Sequence, residues 1–278
     1  GGQPSTTQPM AGPWLSPKEV TVKSFPIVLP DISPLSDTSP SIYVTERTQC
    51  RAGFSAIEGR EAKARKILTV LDEAGHPLIA THRVLDVGTG SGQIAAVLGE
   101  YAQVVSTDRV DQRIQGQTLP FVVADSALPF PDASFDLVIS NHVIEHTGDP
   151  KQHLCEIRRL LSPGGLAYLA TPNRRWPWEF HTRLPVLHYL PAALFNRLAM
   201  HLQRSDEPLY LLSLPGLEQL CGTAFHVASW HQRIVRQPAR YWLRVPHWAR
   251  CVLATLPVWI TEITRGWQPT LIVLLYPR

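Results

Sequence analysis

The sequence predicts an α/β fold: a doubly wound, mostly parallel seven-stranded sheet with helical insertions over the face formed by the carboxyl ends of the strands. Three observations lead there. Strand-like and helix-like segments alternate from about residue 60 to residue 171. A glycine-rich turn, VLDVGTGSG over residues 84–92, follows the first apolar run directly. Two later stretches rich in Pro, Trp and Arg, about 172–212 and 236–267, interrupt the rhythm before a last apolar run.

Each element has its own justification. Residues 1–40 are rich in Pro, Ser and Thr around one apolar island, FPIVLP, and read as an extended arm; the domain proper is expected over 41–278. The chain opens without Met, and Met10 is a candidate start. From Glu58 to Ala74, Ile67, Leu68, Val70 and Leu71 recur at helical spacing on a charged background, and Gly75 is a plausible stop. RVLDVG is the first strand, GQIAAVLGEYA a helix, and VVSTD, FVVAD and FDLVIS the next three strands. PKQHLCEIRRLL is a helix and GLAYLAT the fifth strand. The segment between Asp108 and Phe121 is short and rich in Gln and Arg, so a helix there is a single turn or absent. LPGLEQLCGTAF reads as a short helix, HVASWHQRIV as strand six and TLIVLLY as the final strand.

Composition narrows the function. In 278 residues, 44% hydrophobic and 18% charged content describe a globular protein with a sizeable core, and a formal charge of +3 without a Lys/Arg run points away from nucleic acid. Cys50, Cys155, Cys221 and Cys251 form no C-x-x-C pair, so neither a zinc site nor a disulfide framework is suggested. A cytoplasmic location is expected, because no stretch reaches a spanning length and no signal peptide pattern opens the chain.

A dinucleotide fingerprint requires a third glycine at the position of Gln93, which counts against a nicotinamide oxidoreductase. The pattern present is Asp86 two residues before Gly88, then Gly90 and Gly92. Glycines there permit unusual backbone angles and let a ligand lie against the main chain. In this respect the sequence resembles the class I S-adenosylmethionine-dependent methyltransferases of the type 11 and ubiquinone-menaquinone kind, whose Rossmann-like domain opens with acid-x-Gly-x-Gly-x-Gly. Further stretches match in order: VVSTD, VVADSALPFPDASFDLV, NHVIEHTGDP and LLSPGGLAYLATPN.

The resemblance implies S-adenosylmethionine as cofactor. Asp86, Gly88, Thr89, Gly90 and Gly92 would hold its methionine end. Asp108 would meet the ribose hydroxyls, since two carboxylate oxygens suit a diol, and Arg109 beside it would belong to the adenine pocket. Asp125, Ser126 and Ala127 would meet the adenine, and Asn141 would face the sulfonium. Asp136 is expected to organise the turn into strand four, and Pro163, Gly164 and Gly165 to make a turn.

The methyl on a positive sulfur is already activated, so positioning carries much of the rate, and a hydroxyl acceptor needs a base. His142, His146 and His181 are the candidates. His146 leads together with Glu145, a Glu-His pair that resembles one in ubiquinone-type O-methyltransferases. One Glu and one His do not make a metal site, and no metal is assigned. Glu179 and His181 resemble a Glu-x-His order seen in bacterial relatives.

The second insertion mixes Trp242, Trp248, Trp259 and Trp267 with Arg240, Arg244 and Arg250, while Pro246 and Pro257 preclude one continuous helix. Two readings stay open for it: a lid packed on the domain, or a surface lying on a bilayer that admits a lipid-like acceptor. The expected activity is methyl transfer to a small-molecule or lipid-linked acceptor, O-methylation slightly ahead. A non-catalytic scaffold that keeps the fold is the alternative, and an NAD-dependent oxidoreductase the third choice.

Overall fold

The computed structural model describes residues 54–278 except Gln115, Phe180, His181, Leu184, Arg244 and Val245. The expected arm over 1–40, His181 and Arg244 therefore lie outside the described residues.

Helix α1 (Phe54–Glu73) buries Ala64, Ile67, Val70 and Leu71, one apolar face at helical spacing. Gly75 ends it at φ +81: its amide donates to Asp72 O (3.0 Å), and that of His76 reaches back to Leu71 O (2.9 Å), the crossed pair of a Schellman stop. Seven strands follow: β1 (Arg83–Val87), β2 (Gln103–Asp108), β3 (Phe121–Val123), β4 (Phe135–Asn141), β5 (Leu161–Pro172), β6 (Phe225–Ser229) and β7 (Thr270–Pro277). They make one sheet in the order β3-β2-β1-β4-β5-β7-β6. The first five run parallel, and β7 runs antiparallel to both β5 and β6.

Both faces of the sheet are covered, which is why β1 and β4 read as nearly unbroken apolar runs. α1 and α2 (Gln93–Gly99) pack on one face around Ile67, Leu98, Tyr168 and Leu274. On the other face, α3 (Pro150–Leu160) and α5 (Leu214–Cys221) pack around Leu85, Val138, Ile157, Leu217 and Leu275. Asp149 caps α3, accepting from the amides of Lys151 (2.9 Å) and Gln152 (3.1 Å), with Pro150 in the first turn where no amide is needed.

Asp136, expected to organise the turn into strand four, instead ties three strands together, accepting from the Arg83 amide (2.9 Å) and the Ser162 hydroxyl (2.8 Å). Gly165 is required by packing, since a Cβ there would lie 3.0 Å from the Asp136 and Ser162 carbonyls. No helix forms among the described residues between β2 and β3. Arg113 organises that stretch by donating to Asp111 Oδ1 (3.0 Å) and Leu119 O (2.8 Å).

The expectation for strand six needs correction. β6 stops at Ser229, and His231–Arg236 forms a helix, α6. Trp230 and Ile234 are both buried four residues apart, the spacing of a helix face, and Trp230 Nε1 donates to Tyr241 Oη (3.1 Å). The insertion after β5 holds α4 (Ala192–His201); the connection from β6 to β7 continues into α7 (His247–Thr255) and α8 (Val258–Ile263), which start directly after Pro246 and Pro257.

Candidate active site

In open α/β sheets ligands collect where strand order reverses, outside the carboxyl ends of the strands. Here that point lies between β1 and β4. A cavity of about 320 Å³ opens there, lined among others by Gly88, Asp108, Asp125, His142, His146 and Glu207.

The glycine loop borders it at Gly88 and is fixed by its own backbone. The Gly88 and Thr89 amides donate to Thr107 O at 2.8 and 3.1 Å, and the Gly90 amide donates to Asp108 Oδ2 at 2.8 Å. Gly88, Gly90 and Gly92 have φ of +66, +54 and +76, angles that favour glycine. Space is equally restrictive at Gly88, where a Cβ would stand 2.5 Å from Val143 Cγ2 in the loop after β4.

The acids beside this loop are poised for a ligand. Asp108 Oδ1 also accepts from the Arg109 amide (2.8 Å), so each oxygen is aimed by one backbone donor and keeps a further acceptor site. Asp86 is buried, with Oδ2 making no hydrogen bond. Burial pushes its carboxyl up to about 7, against the hydrogen bond from Thr89 and with the charge of Asp108 adding to the rise. Such an orphaned buried carboxylate fits a ligand ammonium. Arg60 of α1 reaches across the loop, its guanidinium 3.1 Å from where a Gly90 Cβ would be.

The family model described as a methyltransferase domain matches residues 85–169, from β1 through most of β5. The chain is 32% identical over 133 residues to the ubiquinone/menaquinone biosynthesis C-methyltransferase UbiE of Desulfotalea psychrophila, covering 40% of this chain and 53% of that one. It is 32% identical over 165 residues to a ubiquinone biosynthesis O-methyltransferase of Cereibacter sphaeroides, covering 53% of this chain and 66% of that one. The chain thus spans about half the length of the first of these relatives. A methyltransferase solved with the Haloferax volcanii Trm112 methyltransferase activator shares the fold, with a TM-score of 0.52 at 21% identity, over 81% of this chain and 95% of that one.

Residues 85–169 are thus a methyltransferase domain of the class I S-adenosylmethionine-dependent kind. S-adenosylmethionine is its cofactor.

Across the cavity from the glycine loop, the loop after β4 divides the Glu-His pair. Glu145 is fully buried behind the cavity, its Oε1 3.1 Å from His142 Nδ1 and its Oε2 accepting from Thr171 Oγ1 (3.0 Å). Burial alone would raise its carboxyl, but the bond and charge of His142, with His146, hold it below the usual range. His142 sits at φ +61, a left-handed angle for a side-chain-bearing residue, held by its amide's bond to Ala170 O (2.8 Å). His146 turns the other way, with Nδ1 2.8 Å from Glu207 Oε1, while Glu207 Oε2 accepts from Arg109 Nη2 (2.9 Å). Burial would raise the Glu207 carboxyl, and Arg109 with His146 outweighs it and holds it low.

The structure therefore gathers Gly88, Asp108, Arg109, Asp125, Ser126, His142 and His146 around one cavity. Asp86, Thr89, Gly90 and Gly92 belong to the adjoining strand end and glycine loop without lining it. Asn141 ends β4 at Ala170 of β5, and exposed Ala127 follows Ser126; neither lines the cavity. Glu207, His153 and Arg60 escaped sequence reasoning. His153, on α3, meets Ser140 Oγ at 2.9 Å, and burial pushes it down to about 4. Its register with the other cavity residues was the one available signal, because α3 was expected and begins just beyond the β4 loop. Nothing in the sequence around Glu207 marks it.

Proposed function

We propose that this chain transfers the methyl group of S-adenosylmethionine to a hydroxyl of a small-molecule or lipid-linked acceptor. The observation that carries this reading is His146 at the cavity wall with Nδ1 2.8 Å from the Glu207 carboxylate. With the proton on Nδ1, facing that carboxylate, the basic lone pair of the neutral imidazole is on Nε2, as a general base requires.

The residues present fit the cofactor. Asp108 offers both carboxylate oxygens to the ribose hydroxyls, Asp86 its orphaned oxygen to the ammonium, and Arg60 a cation to the carboxylate. Asp125 and Ser126 lie on the adenine side. The bound cofactor supplies a methyl group on a positively charged sulfur, which needs no further activation. What remains for the protein is to orient the acceptor, exclude water and receive a proton. His146 takes the acceptor hydroxyl proton, and Glu207 steadies the resulting imidazolium. His153, pushed down to about 4, is too weak a base to compete near neutral pH. Glu145 acts through His142 as a positioning residue. Among the relatives, names cover both C- and O-methyltransferases; the oriented imidazole supports the O-methyl choice, because a hydroxyl can donate its hydrogen bond to Nε2 and pass the proton along it as the oxygen attacks the methyl.

The test is turnover of radiolabelled S-adenosylmethionine with phenolic and lipid-hydroxyl acceptors. His146→Ala is expected to slow turnover by about 10²–10⁴-fold while leaving cofactor affinity unchanged. An undiminished rate in that variant, or a product methylated on carbon or nitrogen, overturns the reading.

A further inference from the structure

The connection from β6 to β7 presents a face that methyl transfer does not use. α7 buries none of its residues. Trp248 and Val252, one turn apart on α7, stand exposed with Val258, Trp259 and Ile263 of α8 and with Trp267 beyond it; Trp248 and Ile263 are 71% and 72% accessible. Scattered exposed apolar side chains are ordinary, but six large ones within 248–267 mark a contact surface.

Charge identifies what the surface meets. Residues 231–267 contain Arg233, Arg236, Arg240, Arg244, Arg250 and Arg265 against Glu262 as the one acid. Beside α7 lies a groove of about 390 Å³ lined by Arg236, Arg240, His247 and Arg250 and by no carboxylate. Arg240 is neutralised by Glu73 (2.5 Å). Arg236 and Arg250 have no carboxylate partner among the described residues, and the buried Nε of each makes no hydrogen bond. Arg236 reaches only the Leu256 carbonyl, at 3.4 Å. Two guanidinium groups turned into an acid-free groove suit phosphate oxygens.

We propose that α7, α8 and the arginine groove dock this protein on an anionic phospholipid bilayer. Trp248, Trp259 and Trp267 occupy the interfacial zone, where an amphipathic ring is most stable, with Val252 and Ile263 just below them. Arg236 and Arg250 take lipid phosphates. Short helices separated by prolines lie along a surface, and no described helix is long and apolar enough to cross a membrane. A second copy of the chain on this face would set one arginine-rich surface against another across a twofold axis, which like charges oppose. β6 points the same way as β5, so this connection leaves the sheet at its carboxyl-end side, and Asn173 of the first insertion donates to Gly266 O (3.0 Å) and Gln268 O (2.8 Å).

The experiment is flotation of the full chain with phosphatidylcholine vesicles, with and without phosphatidylglycerol. Binding is expected to the anionic vesicles and to weaken with salt. Trp248→Ser with Trp259→Ser should cut partitioning at least about tenfold. Arg236→Ala and Arg250→Ala should each cost roughly fivefold on anionic vesicles and little on neutral ones. S-adenosylmethionine affinity should be unchanged in all variants, which checks the fold and keeps this proposal separate from the methyl-transfer reading. Wild-type protein that binds the cofactor but leaves vesicles untouched overturns the proposal, as does binding indifferent to both pairs. A concentration-dependent dimer abolished by the Trp pair would overturn it by assigning the face to a second copy.

Discussion

Replacing Asp86 with Asn separates what this acid does for the fold from what it does for the cofactor. Burial makes the carboxyl ionise near 7 in the fold, against 3.8 for an ordinary aspartate. Between those values the folded chain holds a proton that the unfolded chain has lost. The contribution of this carboxyl to cofactor-free stability is therefore greatest below 3.8, declines as the pH rises, and is wholly lost above 7. Between about pH 5 and about pH 8 the loss is roughly 3 kcal/mol. Asn does not titrate, so the stability difference between variant and wild type should move by that amount in favour of the variant. The unpartnered amide left in place of Oδ2 costs about 1–3 kcal/mol, an offset that displaces the whole curve without changing its slope. Urea unfolding of both proteins across this pH range, without cofactor, measures the difference directly. Calorimetric titration of the same samples should show weaker S-adenosylmethionine binding by the variant. A stability difference that does not change with pH would refute the argument from burial.

Two further substitutions test the proposed cofactor site. Asp108→Ala removes the acceptor for the Gly90 and Arg109 amides and, in the proposed site, for the ribose, and should weaken cofactor binding by roughly 1–3 kcal/mol by calorimetry; unchanged affinity would refute the ribose assignment. Gly88→Ala places a methyl 2.5 Å from Val143 Cγ2 at φ +66. The melting temperature should fall by an amount that reflects about 1–2 kcal/mol of backbone strain and a similar packing cost. Adding Val143→Ala should recover the packing part alone, and complete recovery would show that the backbone angle is not limiting.

The sheet was legible in the sequence because two faces must be covered at once. Val84, Leu85 and Val87 in β1, and Leu137, Val138 and Ile139 in β4, are buried in runs that no half-exposed element would tolerate. The glycine loop was legible for a related reason: left-handed angles at Gly88, Gly90 and Gly92 restrict residue type locally, Asp108 ends β2, and Asp86 stands one residue before the end of the adjacent β1. The acceptor side was less so. His146 and Glu145 are neighbours in sequence, yet a single turn after β4 sends one toward Glu207 and the other into the core. Glu207 is 61 residues from His146 and has no periodicity to announce it. Strand six was overextended because VASWHQRIV carries branched and aromatic residues that suit a strand as well as the helix turn formed by Trp230 and Ile234.

Glu207 has a wider consequence. It belongs to the insertion after β5, and its two oxygens are shared between Arg109 at the end of β2 and His146 after β4. The backbone of the same loop is pinned as well, the Tyr210 amide donating to Glu145 O at 2.8 Å. The insertion after β5 is thus clasped to both sides of the cavity by one carboxylate. A recombinant chimera that exchanges this segment for that of another methyltransferase will stay coupled to the cofactor only if it brings an acid to the same spot; without one, it inherits a shape without a grip.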